Sequence, residues 1–278
     1  MMKKYRGQPM SLLLYLLVCL SALLTAAVTL FVIGFILVNG VPKLAMPGLF
    51  AWEYNGENQS MTPAIINTLI MVLLTLLLAV PLGVSAAVYL VEYSKKGSEL
   101  VGLIRLAAET LSGIPSIVYG LFGFIVFVIS LGWSYTLLAA VITMAIMILP
   151  LIMRTTEEAL MAVPESFREG SYGLGAGKLR TVFRIVLPSA MPGILAGMIL
   201  AAGRIVGESA ALIFTSGTNP VIADSLFASA STLSVHLYAL LTEGLYTDQA
   251  YAAATVLLLL VVIINALSSF AAKKLTAK

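Results

Sequence analysis

Charge is what this sequence lacks most. Only 10% of its 278 residues are Asp, Glu, Lys or Arg, while 60% are hydrophobic; a soluble domain carries about a quarter charged residues. A soluble α/β protein of this length would alternate short strands with amphipathic helices, and no such alternation is present. Cysteine is nearly absent too: Cys19 is the single one and sits inside an apolar run, which excludes a disulfide framework and a thiolate metal site. His236 is the single histidine, so histidine-ligated metal and histidine acid–base chemistry are poor candidates. What the chain does have is long apolar runs bracketed by charges, and the natural solvent for these is a bilayer.

The runs resolve into six spans. No charge lies between Arg6 and Lys43, and Leu12 to Leu37 is long enough to cross. A second run separates Glu57 from Glu92, with Pro63 suited to its first turn and Asn67 inside it. Between Glu109 and Arg154 lie 44 residues without a charge. As one helix these would reach roughly 66 Å, about twice the hydrocarbon thickness, so two helices are predicted, with a turn near Ser130–Ser134. The fifth span runs from about Ile185 to Phe214, interrupted by Arg204 and Glu208, and the sixth from about Ala250 to Phe270. The outer stretches 40–62 and 215–248 have room for short re-entrant or interfacial helices.

Orientation follows from basic residues. With the N-terminus inside, Lys3, Lys4, Arg6, Lys95, Lys96, Arg105, Arg168, Lys178, Arg180, Arg184, Lys273, Lys274 and Lys278 face the cytoplasm, and the outer loops keep Lys43. Both termini are therefore expected to be cytoplasmic. The basic start has the order of a signal peptide, but its apolar part, about 26 residues, exceeds the usual 7–15 and reads as a retained first helix.

The inner segment from Arg154 to Arg184 predicts a short helix outside the membrane, at about 163–176. Pro164 suits its first position, Glu165 and Glu169 complement the dipole of its N-terminal end, and Gly173, Gly175 and Gly177 stop it. Phe167, Ser171 and Leu174 share one face by spacing. Such a helix either rests on lipid headgroups or docks a cytoplasmic partner. The run Tyr172–Lys178 superficially suggests a phosphate-binding loop, but Tyr172 stands where the first Walker glycine belongs and Leu179 where Ser or Thr belongs. ATP binding by this chain is not expected.

This segment resembles the cytoplasmic signature of membrane subunits of binding-protein-dependent ABC importers: Glu-Ala-Ala, three residues, Gly, nine residues, Ile-x-Leu-Pro. Glu169-Gly170-Ser171, then Gly175, then Ile185-Val186-Leu187-Pro188 match it at the required distances, with Gly170 and Ser171 replacing the alanines by other small residues. A second resemblance is to the phosphate transport system permeases of the PstA type. It rests on Tyr89–Tyr93, Gly113–Gly123, Arg154-Thr-Thr-Glu-Glu158 and Arg204-Ile-Val-Gly-Glu208, and spans about residues 63 to 214, continuing more weakly beyond. These resemblances imply an all-α polytopic membrane protein of the type I importer permease kind, a single permease domain over 1–278 in a prokaryotic inner membrane. They imply coupling to an ATPase through Glu169, Gly170, Ser171, Gly175, Ile185, Leu187 and Pro188, with hydrolysis carried by that partner. The implied partners are a second permease subunit (PstC type), two copies of an ATP-binding subunit (PstB type) and an extracytoplasmic phosphate-binding protein (PstS type). No cofactor, metal or nucleic acid is implied.

Residues of the spans are compatible with an anion as cargo. Arg204 lies well inside the fifth span, where an arginine costs roughly 2.5–3.5 kcal/mol on insertion scales and should face the bundle interior. Glu208, one turn on, is expected on the same face, either forming a helix-orienting ion pair or holding an arginine that grips the anion. Arg154 closes the fourth span; orientation alone would put a basic residue there, and the PstA resemblance also implies a place in the anion pathway. Pro115 is expected inside the third span, kinking it or opening its backbone by removing the bond to the Leu111 carbonyl, with Ser112 and Ser116 resatisfying freed groups or lining a polar path. Charge alone does not separate phosphate from sulfate or molybdate, and an amino acid importer or an ATP-independent transporter are the alternatives.

Overall fold

In the computed structural model, residues 9–276 except 57 and 96 are described; Lys3, Lys4, Arg6, Glu57, Lys96 and Lys278, which enter the charge asymmetry, lie outside the described residues, as do the side chains of Lys273 and Lys274. The elements are α1 (Pro9–Gly40), α2 (Thr62–Val88, ending in a wider π turn at Tyr89–Tyr93), α3 (Glu99–Ser112), α4 (Ser116–Gly123, continuing as π turns to Ser130) and α5 (Leu137–Met161). There follow α6 (Glu165–Gly173), α7 (Lys178–Thr181, running through a π turn at 182–186 into the next helix), α8 (Leu187–Val206), α9 (Ala210–Thr215), α10 (Leu233–Glu243) and α11 (Thr247–Thr276). No strand occurs among the described residues.

Among the described residues five helices are long and apolar enough to cross a membrane, and α3 with α4 makes a sixth crossing if that bent pair is one span. Helix α5 is the axis. The Thr136 hydroxyl caps it by accepting from Ala139 N at 3.2 Å, and Met144, Ile148 and Ile152 are buried in a core shared with Met71 and Ala79 of α2 and Ala201 and Ile205 of α8. By contrast α1 is apolar and exposed almost all round, with Leu23 and Phe31 each 70% exposed. That distribution is tolerable only against lipid or another subunit.

Two expected spans are broken. Pro115 is not inside a helix: it precedes α4 with an extended backbone (ψ 141°), and the axes of 99–112 and 116–130 differ by 98°. The residue before a proline avoids the helical region, so the chain turns at Gly113–Pro115 instead of kinking. The Leu111 carbonyl accepts from Ile114 N and, at 2.8 Å, from the Tyr119 hydroxyl. With α3 amphipathic and carrying Glu99, Arg105 and Glu109, only 116–130 is left to cross, about 22 Å at helical rise. The fifth span likewise stops at Val206, is interrupted at 207–209 and resumes as α9.

The outer segment 215–248 does contain a short helix, α10, and the 40–62 stretch a single 3₁₀ turn at Val41–Ala45. Between α9 and α10 the chain has few regular partners, and the intramembrane Asn67 supplies them. Its amide donates to the carbonyls of Val221 (2.8 Å) and Ser231 (3.1 Å) and accepts from Ala223 N (3.1 Å). Thr68 Oγ1 then accepts from Leu233 N at 2.8 Å, capping α10.

Close packing locates the glycines that matter. A Cβ on Gly120 would meet the Ala211 Cα at 2.8 Å, so α4 and α9 touch backbone to backbone, whereas one on Gly102 would meet nothing within 4 Å. Gly120→Ala should therefore cost about 1–3 kcal/mol through forced separation of α4 and α9. Gly102→Ala should be neutral or stabilising. Thermal unfolding in detergent micelles checks the contrast; equal midpoints would contradict it.

Candidate functional site: a charged cavity and a bolted cytoplasmic helix

A cavity of about 460 Å³ lies between α3, α5 and α8, and it brings together Ser112, Arg154 and Arg204. Sequence reasoning named all three. Arg154 pairs with Glu158 one turn on, Nε to Oε1 at 3.4 Å, with both side chains more than half exposed. Such an exposed i,i+4 pair contributes little, about 0.3–0.5 kcal/mol, so the guanidinium is available to a ligand. Arg204 is exposed to the cavity and has no ion pair among the described residues; it also borders a second cavity of about 350 Å³ in which Asn265 of α11 stands.

The expected partnership of Arg204 and Glu208 is not present. Because α8 ends at Val206, Glu208 is off the helix and no longer one turn above Arg204 on its face. Its carboxylate turns to the orphan N–H groups of α9, Oε1 accepting from Ala211 N at 3.1 Å, and its carbonyl accepts from the Ser234 hydroxyl. Gly207 makes the stop cheap, and a broken helix start has backbone donors that a carboxylate satisfies better than a distant arginine would allow. Glu208, Pro115 and Ser116 do not line the 460 Å³ cavity. Ser112 does, with its hydroxyl donating to the Glu109 carbonyl at 2.8 Å.

Two further residues of this cavity escaped the sequence reading. Arg105 reaches from α3 to Glu157 of α5, Nε to Oε1 at 2.7 Å, and both line the cavity. The one signal available was Glu157 itself, an acidic residue adjoining a span and inside the Arg154–Glu158 stretch.

The cytoplasmic helix is α6, shorter at each end than the 163–176 expected, with Pro164 just before its first residue. Its end is a Schellman stop: Gly175 adopts φ +81°, its N–H reaches the Tyr172 carbonyl at 2.9 Å, and Ala176 N reaches the Ser171 carbonyl at 3.1 Å. Gly175 is thus demanded by backbone conformation. Gly170 is exposed with open space where its Cβ would stand, and Glu169 is exposed beside it. Phe167, Tyr172 and Leu174 are exposed as well, Leu174 at 92%.

Ser171 departs from that face. It is buried, its hydroxyl 2.8 Å from that of Thr181. Leu187 packs into the core at the base of α8, Ile185 is half-buried in the π turn before it, and Pro188 follows where a missing N–H does little harm. The second half of the signature therefore builds the foot of α8, while Glu169 and Gly170 of the first half are presented to solvent.

What holds α6 is Arg168, buried and unforeseen except as a cytoplasmic charge. Its Nε and Nη2 donate to Glu92 Oε1 at 3.0 and 2.7 Å, Nη2 also to the Leu160 carbonyl (3.0 Å), and Nη1 to the Val163 carbonyl (2.9 Å) and Glu165 Oε2 (3.3 Å). Burial works against the charge, but the hydrogen bond and charge of Glu92, with Glu165, raise its pKa above the ordinary arginine value. One guanidinium thereby joins the π turn of α2, the open carbonyls ending α5, and α6.

Known proteins agree with this architecture. Residues 79–278 match the family described as binding-protein-dependent transport system inner membrane component. The chain is 33% identical over 279 residues to the Bacillus subtilis (strain 168) "Probable ABC transporter permease protein YqgI", covering 93% of this chain and 95% of that one. It is 35% identical over 228 residues to the phosphate transport system permease protein PstA of Yersinia pestis, covering 79% and 75%. The crystal structure of a bacterial alginate ABC transporter in complex with alginate pentasaccharide-bound periplasmic protein contains a chain of similar fold, TM-score 0.66 at 19% identity, covering 98% of each.

Removing one member of the buried pair leaves an uncompensated charge, so Arg168→Met should destabilise by about 3–5 kcal/mol. Arg168→Met with Glu92→Leu should recover a large part of that loss. Chemical denaturation in micelles distinguishes the variants; a double variant as unstable as the single one would contradict the pairing.

Proposed function

Since the chain belongs to the family of binding-protein-dependent transport system inner membrane components, and is therefore a multi-pass inner-membrane permease of an ABC importer, we propose that its cargo is inorganic phosphate. The observation that carries this reading is the meeting of Arg154 and Arg204 on one cavity, neither held in a buried ion pair. A guanidinium offers planar, paired donors that suit a tetrahedral oxyanion. Likeness to PstA proteins supports phosphate among the oxyanions. Ser112 adds a hydroxyl to the wall, and Glu208 acts on the pathway as the cap that keeps the broken fifth span in place.

Energy enters from outside the chain. The α6 helix presents Glu169, Gly170, Phe167 and Leu174 to an ATP-binding subunit, two copies of which serve this permease and a second, PstC-type permease. A PstS-type binding protein delivers phosphate to the outer loops. Closure of the ATPases pushes α6, and Arg168 passes the movement to α5, which carries Arg154 and Glu157 into the cavity wall. Hydrolysis belongs to the ATPases and movement to this chain.

ATP-dependent uptake of labelled phosphate into vesicles carrying the whole transporter tests the cargo. Arg204→Gln should lower uptake at least about tenfold, the loss of roughly one charge-assisted contact of 1.5–3 kcal/mol. Excess sulfate should not compete in the unaltered transporter. Full uptake by the variant would remove Arg204 from the pathway, and effective competition by sulfate would overturn phosphate as the specific cargo.

A further inference from the structure

Two cavities share Arg105 and Met161 in their walls, and Glu157, the ion-pair partner of Arg105, lines the inner one. The inner cavity, which sets Arg105, Arg154 and Arg204 beside Glu109, Glu157 and Glu158, is walled by α3 from Arg105 to Ser112 and by α5 from Pro150 to Met161. A larger one of about 570 Å³ lies on the cytoplasmic side, among Ser94, Lys95 and Gly97, the first turns of α3 and the α6 helix, with Lys178 also in its wall. Along α3 the wall passes from the cytoplasmic cavity (Val101, Arg105) to the inner one (Arg105, Ala108, Ser112) at Arg105, and along α5 the change comes at Met161. At that same level Arg105 and Glu157 tie α3 to α5, with Nε and Nη2 both on Oε1.

The two partners are unequal. The Glu157 side chain is 8% exposed and that of Arg105 is 49% exposed. A buried carboxylate with a single cationic partner depends on it, and α3 is drawn against α5 for as long as the pair holds. Arg105 has five N–H donors in all, so the exposed part of its fork faces the cavities while one edge serves Glu157. The Glu157 carboxylate, which lines the inner cavity, also opposes an anion held there.

We propose that the Arg105–Glu157 pair is the inner barrier of the translocation pathway. Closed, it separates the cavity of Arg154 and Arg204 from the cytoplasmic one. It opens when an oxyanion replaces Glu157 on Arg105, and the anion then leaves past Lys95 and Lys178. The exchange step rests on the oxyanion reading of the cavity; the barrier itself does not.

Thiol access from the cytoplasm tests both parts. The complete transporter, with Cys19→Ser and Ala108→Cys in this chain, is placed in inside-out vesicles and labelled with a membrane-impermeant maleimide, counting label on this chain alone. With the pair intact labelling should be slow; Glu157→Gln and Arg105→Gln should each speed it by about tenfold or more, as expected for losing an interaction worth above ~1.4 kcal/mol. The exchanged pair, Arg105→Glu with Glu157→Arg, should return the rate close to that of the intact pair, which also guards against variants that merely misfold. Inorganic phosphate should raise the rate when the pair is intact. Equal rates with and without the pair would overturn the barrier and leave the phosphate reading untouched. Faster labelling in the variants but no response to phosphate would keep the barrier and overturn the exchange.

Discussion

A guanidinium buried where three elements end sets the terms for everything on the cytoplasmic side. Arg168 stands on α6, yet its bonds run to the last turn of α2 and to the unpaired carbonyls of α5. A helix of only nine residues has little stability of its own in water. Fixed by one buried arginine and a left-handed glycine at its end, it becomes an extension of α5. Because α5 is also the central helix of the core and a wall of the cavity that holds Arg154 and Arg204, force applied at α6 would have a short route to these arginines.

The interior depends on interruptions that would be unaffordable if their backbone groups were left bare in hydrocarbon. Each break has a local remedy. At Gly113–Pro115 the Leu111 carbonyl is taken by Tyr119, at 207–209 the Glu208 carboxylate takes a donor of α9, and the extended stretch before α10 is held by Asn67 and Thr68. The breaks are what bring α3 across the bundle, so that Ser112 and Arg105 meet residues of α5 and α8 that a straight third span would have kept apart. The irregular backbone itself stands outside the cavity wall, and what it does is position the helices that form that wall.

Much of this was legible in the chain. Apolar run lengths gave the crossings, the two-helix division between Glu109 and Arg154 fell where expected, and the position of the cytoplasmic helix followed from Pro164 and the glycines after Gly173. Arg154, Arg204 and Ser112 were recognisable one by one, as charges or hydroxyls that an apolar span would not otherwise hold. Partnerships were less legible. Spacing of four residues paired Arg204 with Glu208 on the assumption of an unbroken helix, and Gly207 voids that assumption. Pro115 was read as a kink because hydropathy does not register a 98° turn. Arg168 with Glu92 and Arg105 with Glu157 are 76 and 52 residues apart, and nothing local distinguishes these charges from orientation signals at a cytoplasmic surface. The helical face of Phe167, Ser171 and Leu174 was divided for the same reason: only tertiary packing turns Ser171 inward.

The central claim is that the Arg168 fork transmits work from the cytoplasmic helix to the cavity, beyond holding the fold together. Lysine at 168 keeps the charge and loses the planar fork that reaches Glu92 and two carbonyls at once. The decisive measurement is the number of phosphate ions imported per ATP hydrolysed by the complete transporter in liposomes, comparing Arg168→Lys with the unaltered protein. Hydrolysis should persist at a similar rate while the ratio falls several-fold. An unchanged ratio at full hydrolysis would contradict transmission through Arg168.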